Sequence, residues 1–163
     1  MIVIADSSPL ITLINIGQAG ILQTLFREVV IPPQIAAELA TAKRAPTVRN
    51  FIADCPSWLR VQAPAVVETI PRLHEGERAA ISLADELKAD LLLIDESDGR
   101  AAALARHLRI TGTIGILLRA AEQGLLDLAD AFARIKRTDS WISPKLLDAE
   151  LEKHSRRTNS RKR

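Results

Sequence analysis

Asp90-Leu91-Leu92-Leu93-Ile94-Asp95 is the stretch on which the fold turns. Four apolar residues in a row, bounded by acids, read as a short strand buried on both faces, the kind found inside parallel sheets. Glu75–Lys88, just before it, is amphipathic at helical spacing, and an alanine-rich helical stretch follows from Asp98 to about Leu108. Ile2–Ala5 and Glu28–Ile31 repeat the buried-strand pattern, with further short strands expected at Leu59–Gln62 and Ile110–Thr111. One helix is expected from a Ser8 N-cap, with Pro9 at its first position, to about Ile16, where Gly17 stops it. Others are expected at Ala19–Phe26, Gln34–Ala42, Pro46–Ala53, Ile114–Gln123, Leu128–Arg137 and Pro144–His154. Strands alternating with helices predict an α/β fold, a three-layer α/β/α sandwich around a central, mostly parallel sheet of four to five strands. Ligands of such sheets sit in the crevice beyond the carboxyl ends of the strands, so the residues directly after strands are the place to look for a site.

At 163 residues, 47% apolar and 26% charged, the chain suits one compact domain that folds without a metal or a disulfide. The domain is expected to span residues 1–152, leaving 153–163 as a basic C-terminal tail. That tail holds six of the 22 Lys and Arg and no acid, so residues 1–152 carry 16 basic against 20 acidic groups, a net of −4. The overall charge of +2 therefore describes a mildly acidic domain with a basic end. Such an end is expected to be solvated and unstructured, or else to touch nucleic acid. No apolar run approaches the ~20 residues that cross a bilayer. Met1–Asp6 has no basic n-region and an acid precedes any h-region, so no secretory signal is expected. The lone Cys55 cannot form an internal disulfide, which fits a reducing, cytoplasmic compartment.

Two strands end on an aspartate, at Asp6 and at Asp95, and a parallel sheet puts both at one edge. Either could simply cap the helix that follows. Glu38 shares its helical stripe with Ile35, Leu39 and Ala42, and Glu77 shares its own with Ala80, Ile81, Ala84 and Leu87, so both face the sheet. An unpaired carboxylate there costs several kcal/mol. Asp6, Glu38, Glu77 and Asp95 thus converge at one edge, with Asp98 one step beyond Asp95. Carboxylates gathered in one cleft repel each other unless a cation is shared between them. With no Cys or His at ligand spacing, the all-oxygen donor set selects Mg²⁺ or Mn²⁺. That equipment suits hydrolysis of a phosphodiester. Arg100 either clamps a phosphate or plays a structural part. Thr113, at a helix start, either meets a phosphate oxygen or caps the helix.

Several stretches together resemble one family. They are Ile4-Ala-Asp6-Ser-Ser-Pro-Leu10, the Pro-Pro-x-x-x-x-Glu38-Leu segment and Gly76-Glu77-Arg-Ala-Ala-Ile-Ser-Leu-Ala84. Leu-Leu-Ile-Asp95-Glu-x-x-Gly-Arg-x-x-Ala and Thr-Gly-Thr113-Ile-Gly-Ile-Leu117 follow in order. The chain resembles PIN-domain proteins, in particular the bacterial and archaeal branch related to toxin–antitoxin ribonucleases. The resemblance implies a PIN-like α/β/α fold, Mg²⁺- or Mn²⁺-dependent cleavage of RNA, frequent homodimers and a cognate antitoxin protein that blocks the cleft. It makes Asp6, Glu38, Glu77 and Asp95 the metal-binding and catalytic acids, Asp98 a further acidic position, and Ser7 an assistant beside the first acid. Glu77 stands where many relatives carry Asp, which lengthens the arm by one methylene.

Two other readings compete. A phosphoacceptor receiver domain also places acids at strand ends, yet it needs paired acids after the first strand and a Lys after the last. Here Ser7-Ser8 and Thr111-Gly112-Thr113 occupy those places. A catalytically silent PIN module used as a binding scaffold is the other. The sets Leu10, Leu13, Ile14 and Leu22, Leu25, Phe26 form either core or the apolar groove of a dimer or antitoxin contact. Trp58 and Trp141 are too far apart in sequence to be read as a stacking platform for bases.

Overall fold

The computed structural model describes all residues, Met1–Arg163, in two compact units, Met1–Thr113 and Ile114–Arg163. The first unit holds β1 (Val3–Ala5), α1 (Ser7–Asn15), α2 (Ile21–Phe26), β2 (Val29–Ile31), α3 (Pro33–Ala40) and α4 (Pro46–Asp54). It continues with β3 (Leu59–Val61), α5 (Glu75–Glu86), β4 (Leu91–Leu93), α6 (Ser97–Ala105) and β5 (Ile110–Thr111). α7 (Thr113–Glu122) opens on the last residue of that unit; α8 (Leu128–Lys136) and α9 (Pro144–Arg161) belong to the second.

The five strands form one sheet in the order β3-β2-β1-β4-β5, every pair parallel. The expected α/β/α sandwich is what the chain adopts, with all five strands parallel. Register pairs Ile4 with Val30, and Val3, Ile4 and Ala5 with Leu91, Leu92 and Leu93. All residues of β1 and β2 are buried, which is why these strands read as unbroken apolar runs rather than alternating ones. Ile4, Val30, Leu92 and Ile94 pack on Ala80, Ile81, Leu83 and Ala84 of α5 and on Ala103 of α6. The sheet order runs outward from β1 to β2 and β3 on one side, and through β4 to β5 on the other. β1 and β4 therefore flank the switch point, where a parallel sheet opens a crevice at its carboxyl edge.

Leu10, Leu13, Ile14, Leu22 and Phe26 are buried and Leu25 is half-buried, so the two sets are spent largely on core. In the second unit α8 turns Leu128, Ala131, Phe132 and Ile135 inward. The basic end differs from its expectation. Instead of an unstructured tail, the helix that begins behind the Ser143 cap runs on to Arg161. Glu152–Arg156 and Glu150–Lys153 pairs bridge its turns, and neither Gly nor Pro interrupts it. No helix is long and apolar enough to cross a membrane.

Two helices end earlier than periodicity predicts. After α5 and α6 the chain turns through Lys88 (φ 51°) and His107 (φ 61°), left-handed positions that usually take Gly. At α6 the motif is complete: the His107 N–H donates to Leu104 O (3.0 Å) and the Leu108 N–H to Ala103 O (3.1 Å). A side chain there carries conformational strain that Gly lacks. His107→Gly should stabilise the fold by about 1 kcal/mol in urea denaturation, whereas His107→Ala should change it by less than ~0.5.

Candidate active site

β1 delivers Asp6 to the carboxyl edge of the sheet, where its N–H donates to Leu93 O of β4 (2.9 Å) and locks it to the neighbouring strand. Helix α1 starts at once on Ser7, so Asp6, not Ser8, occupies the N-cap position, and Pro9 falls in the first turn. Yet the Asp6 side chain makes no capping hydrogen bond. It is 2% exposed, and its Oδ1 is buried without a partner. Burial pushes its pKa from 3.8 up to about 7; the Ser7 backbone N–H pulls the other way, and the charges of Glu77, Glu38 and Asp95 add to the rise. Asp6 thus feels all three of the other expected acids, which arrive from α3, α5 and the end of β4.

Glu38 and Glu77 are half-buried, as carboxylates on the inward stripe of a helix at the sheet edge must be. Gly76 gives them room, since a Cβ there would run into Glu38 Oε1 and stand 2.9 Å from Ile35 Cδ1, so both side-chain ends would have to shift. A glycine at this one position lets the start of α5 close on α3. The Glu77 Oε2 accepts from the His74 N–H (3.3 Å), anchoring the carboxylate at the helix N-terminus. Burial raises its pKa, with the charges of Glu96 and Glu38 contributing and His74 opposing.

Asp95 is held twice by Thr113. Its Oδ1 accepts the Thr113 backbone N–H (2.7 Å) and its Oδ2 the Thr113 hydroxyl (2.6 Å). Burial raises the Asp95 pKa; the Thr113 hydrogen bonds and the Arg100 charge counter it. Gly112 makes room for this clasp, because a Cβ there would lie 2.5 Å from Asp95 Oδ1.

These contacts settle how three expected residues are used. Thr113 is fully buried with both donors on Asp95, so it orients a carboxylate and does not meet a phosphate. Arg100 donates through Nη1 to Ile94 O (3.0 Å) and steadies the turn out of β4. Asp98 is exposed in the first turn of α6, and its charge is not among those acting on Asp6, Glu77 or Asp95. The acid that reaches the cluster from this corner is Glu96, which caps α6 by accepting the Gly99 N–H (2.8 Å) while its charge bears on Glu77. Sequence reasoning passed over it, since Glu is not among the residues favoured at an N-cap.

Ser7 and Ser8 follow Asp6 into a cleft of about 390 Å³ lined also by Glu38, Glu77, Lys43, Arg44 and His74. In this arrangement of side chains no three carboxylate, imidazole or thiolate groups stand close enough to share one ion. The donor chemistry nevertheless fits Mg²⁺, which is held through one or two carboxylates and keeps several waters. An orphaned Asp6 oxygen amid like charges is the kind of group that such an ion satisfies.

A three-layer sandwich with acids at its switch point is an architecture that nuclease-type α/β domains share with others. The PIN-domain family model matches residues 2–156, almost the whole chain, and the protein belongs to that family, whose members are typically nucleases. No curated protein and no solved structure matches it.

The raised pKa has a stability consequence. Between pH 4 and 7 native Asp6 keeps a proton that the unfolded chain has released, so folding stability from this group is full below pH ~4 and is lost as pH rises through about 7. In chelator, Asp6→Asn should match the wild type near pH 4 and exceed it at pH 8 by up to about 4 kcal/mol in urea denaturation. A variant less stable than the wild type at pH 8 would contradict this.

Proposed function

We propose that this chain is a Mg²⁺- or Mn²⁺-dependent endoribonuclease that hydrolyses RNA phosphodiester bonds, and that it is the toxin of a toxin–antitoxin pair. The observation that carries the reading is the buried, partnerless Asp6 Oδ1 set among Glu38, Glu77 and Asp95. Asp6, Glu38, Glu77 and Asp95 would hold the ion, with Glu96 as a further acid close by. When bound, the ion supplies Lewis acidity toward a phosphoryl oxygen and acidifies water in its shell.

The chain's own groups do the rest. Asp6 holds a proton near neutral pH while no cation is present. Thr113 keeps Asp95 from rotating, and the His74 N–H does the same for Glu77, so the acids are pre-set for their task. The Ser7 and Ser8 hydroxyls line the cleft and can donate to phosphate oxygens. His74 lines this cleft beside Glu77, whereas His107 and His154 are not among its lining; the clustered carboxylates are the groups that would take the proton of the attacking water. This reading includes RNA as substrate, a cognate antitoxin that covers the cleft, a homodimer, and a cytoplasmic setting.

A labelled single-stranded RNA incubated with purified protein tests it. Cleavage should require Mg²⁺ or Mn²⁺, stop with chelator, and fall by at least ~10²-fold in Asp6→Asn and Asp95→Asn, each still folded by circular dichroism. Undiminished cleavage in both variants would remove the acid cluster from the chemistry. Absence of cleavage by the wild type with either metal would favour the silent scaffold.

A further inference from the structure

The cleft that holds Glu38 and Glu77 also has a positive lip. Residues 41–45 connect α3 to α4, and from this turn Lys43 and Arg44 line the same 390 Å³ cavity as Ser7, Ser8 and the two glutamates. Arg44 is half-buried and fixed: its N–H donates to Thr41 O (3.0 Å), its Nε to Glu38 O (3.4 Å), and its own carbonyl accepts Arg49 Nε (3.1 Å). The Nε bond leaves the four Nη–H donors of the guanidinium fork for something else. Neither Lys43 nor Arg44 enters an ion pair with a carboxylate of the chain, in contrast to Arg60 and Arg106 of the same unit. Two cations outside any ion pair, one of them braced against the backbone of Glu38, line the pocket that Glu38 and Glu77 also line.

Charge makes this placement consequential. A polyanion approaching Asp6, Glu38, Glu77, Asp95 and Glu96 meets repulsion, and one divalent ion offsets only part of it. Cations beside the acids offset the remainder where the backbone of the substrate passes. Arg offers a planar fork that matches phosphate oxygens, and Lys a mobile point charge.

We propose that Lys43 and Arg44 form a phosphate-binding lip that grips the backbone of a single-stranded nucleic acid beside the acid cluster, setting where along the strand the reacting bond lies. This rests on the nuclease reading above. The lip reads phosphate and carries no base preference. Both are positioning residues: they hold the strand and take no part in bond making.

The test uses the full chain and a fluorescein-labelled 20-nucleotide oligouridylate, bound in chelator and then cut with Mn²⁺. Lys43→Ala and Arg44→Ala should each weaken binding by about 5–10-fold and each reduce the salt slope by about 0.7. In cleavage, KM should rise by a similar factor while kcat stays within about 2-fold for Lys43→Ala, whose side chain makes no hydrogen bond or ion pair with the acids. Arg44→Lys should restore most of the salt slope, which a loss through misfolding would not allow. If the wild type cuts the RNA and neither substitution moves affinity, slope or KM, the lip is overturned and the nuclease reading stands. If the wild type neither binds nor cuts, both fall.

Discussion

Asp6 presents a carboxylate oxygen with no donor in reach, at a position water hardly enters, within the field of three more acids. A fold optimised only for stability would not keep such a group, because burying a polar atom without a partner costs on the order of 1–3 kcal/mol. Much of the first unit can be understood as supporting it. Parallel pairing of β1 with β4 sets Asp6 next to the strand that ends on Asp95, and the Asp6 N–H bond to Leu93 fixes the register between them. Gly76 lets α5 close on Glu38, and the Thr113 clasp keeps Asp95 in one orientation. Strain of this kind concentrates at functional sites.

The acids are held in different ways. Asp95 is satisfied by two hydrogen bonds and Glu77 by one backbone donor, whereas Asp6 keeps one oxygen, Oδ1, buried without any partner. The division suits a site in which the outer acids are positioned in advance and the innermost one waits for a charge partner. The pKa shifts share one direction. All three are raised by burial and opposed by hydrogen bonds, and at Asp6 the charges of Glu77, Glu38 and Asp95 add to the rise. Beside this core the cleft carries both signs, with Glu38 and Glu77 and also Lys43 and Arg44 in its lining. A bound cation and a phosphate backbone have opposite charges, so one cleft can attract both only if its own charges are segregated.

Much of the architecture could be read before any coordinates. Ile2–Ala5, Glu28–Ile31 and Asp90–Ile94 are legible because strands buried on both faces leave unbroken apolar runs. Glu38 and Glu77 are legible because a carboxylate on an apolar helical stripe contradicts its surroundings. Other features leave no such mark. Lys88 and His107 end their helices in a conformation that Gly usually signals, so both ends were expected too late. Thr113 looked free for a phosphate because its partner, Asp95, is 18 residues away in sequence and meets it only through the pairing of β4 with β5. Glu96 was overshadowed by Asp98, since helical spacing says which face a residue takes but not how the chain turns out of β4. The basic end looked unstructured from its composition, although its Glu152–Arg156 spacing favours the helix it forms.

The central claim is that a divalent cation is the missing partner of Asp6, and its carboxyl can report this itself. In protein carrying carboxyl-¹³C aspartate, with the Asp6 resonance assigned through Asp6→Asn, its titration is followed with chelator and then with Mg²⁺. The account predicts a midpoint near 7 in chelator and a fall of more than one pH unit when Mg²⁺ is added. A midpoint that Mg²⁺ and Mn²⁺ both leave in place would contradict it.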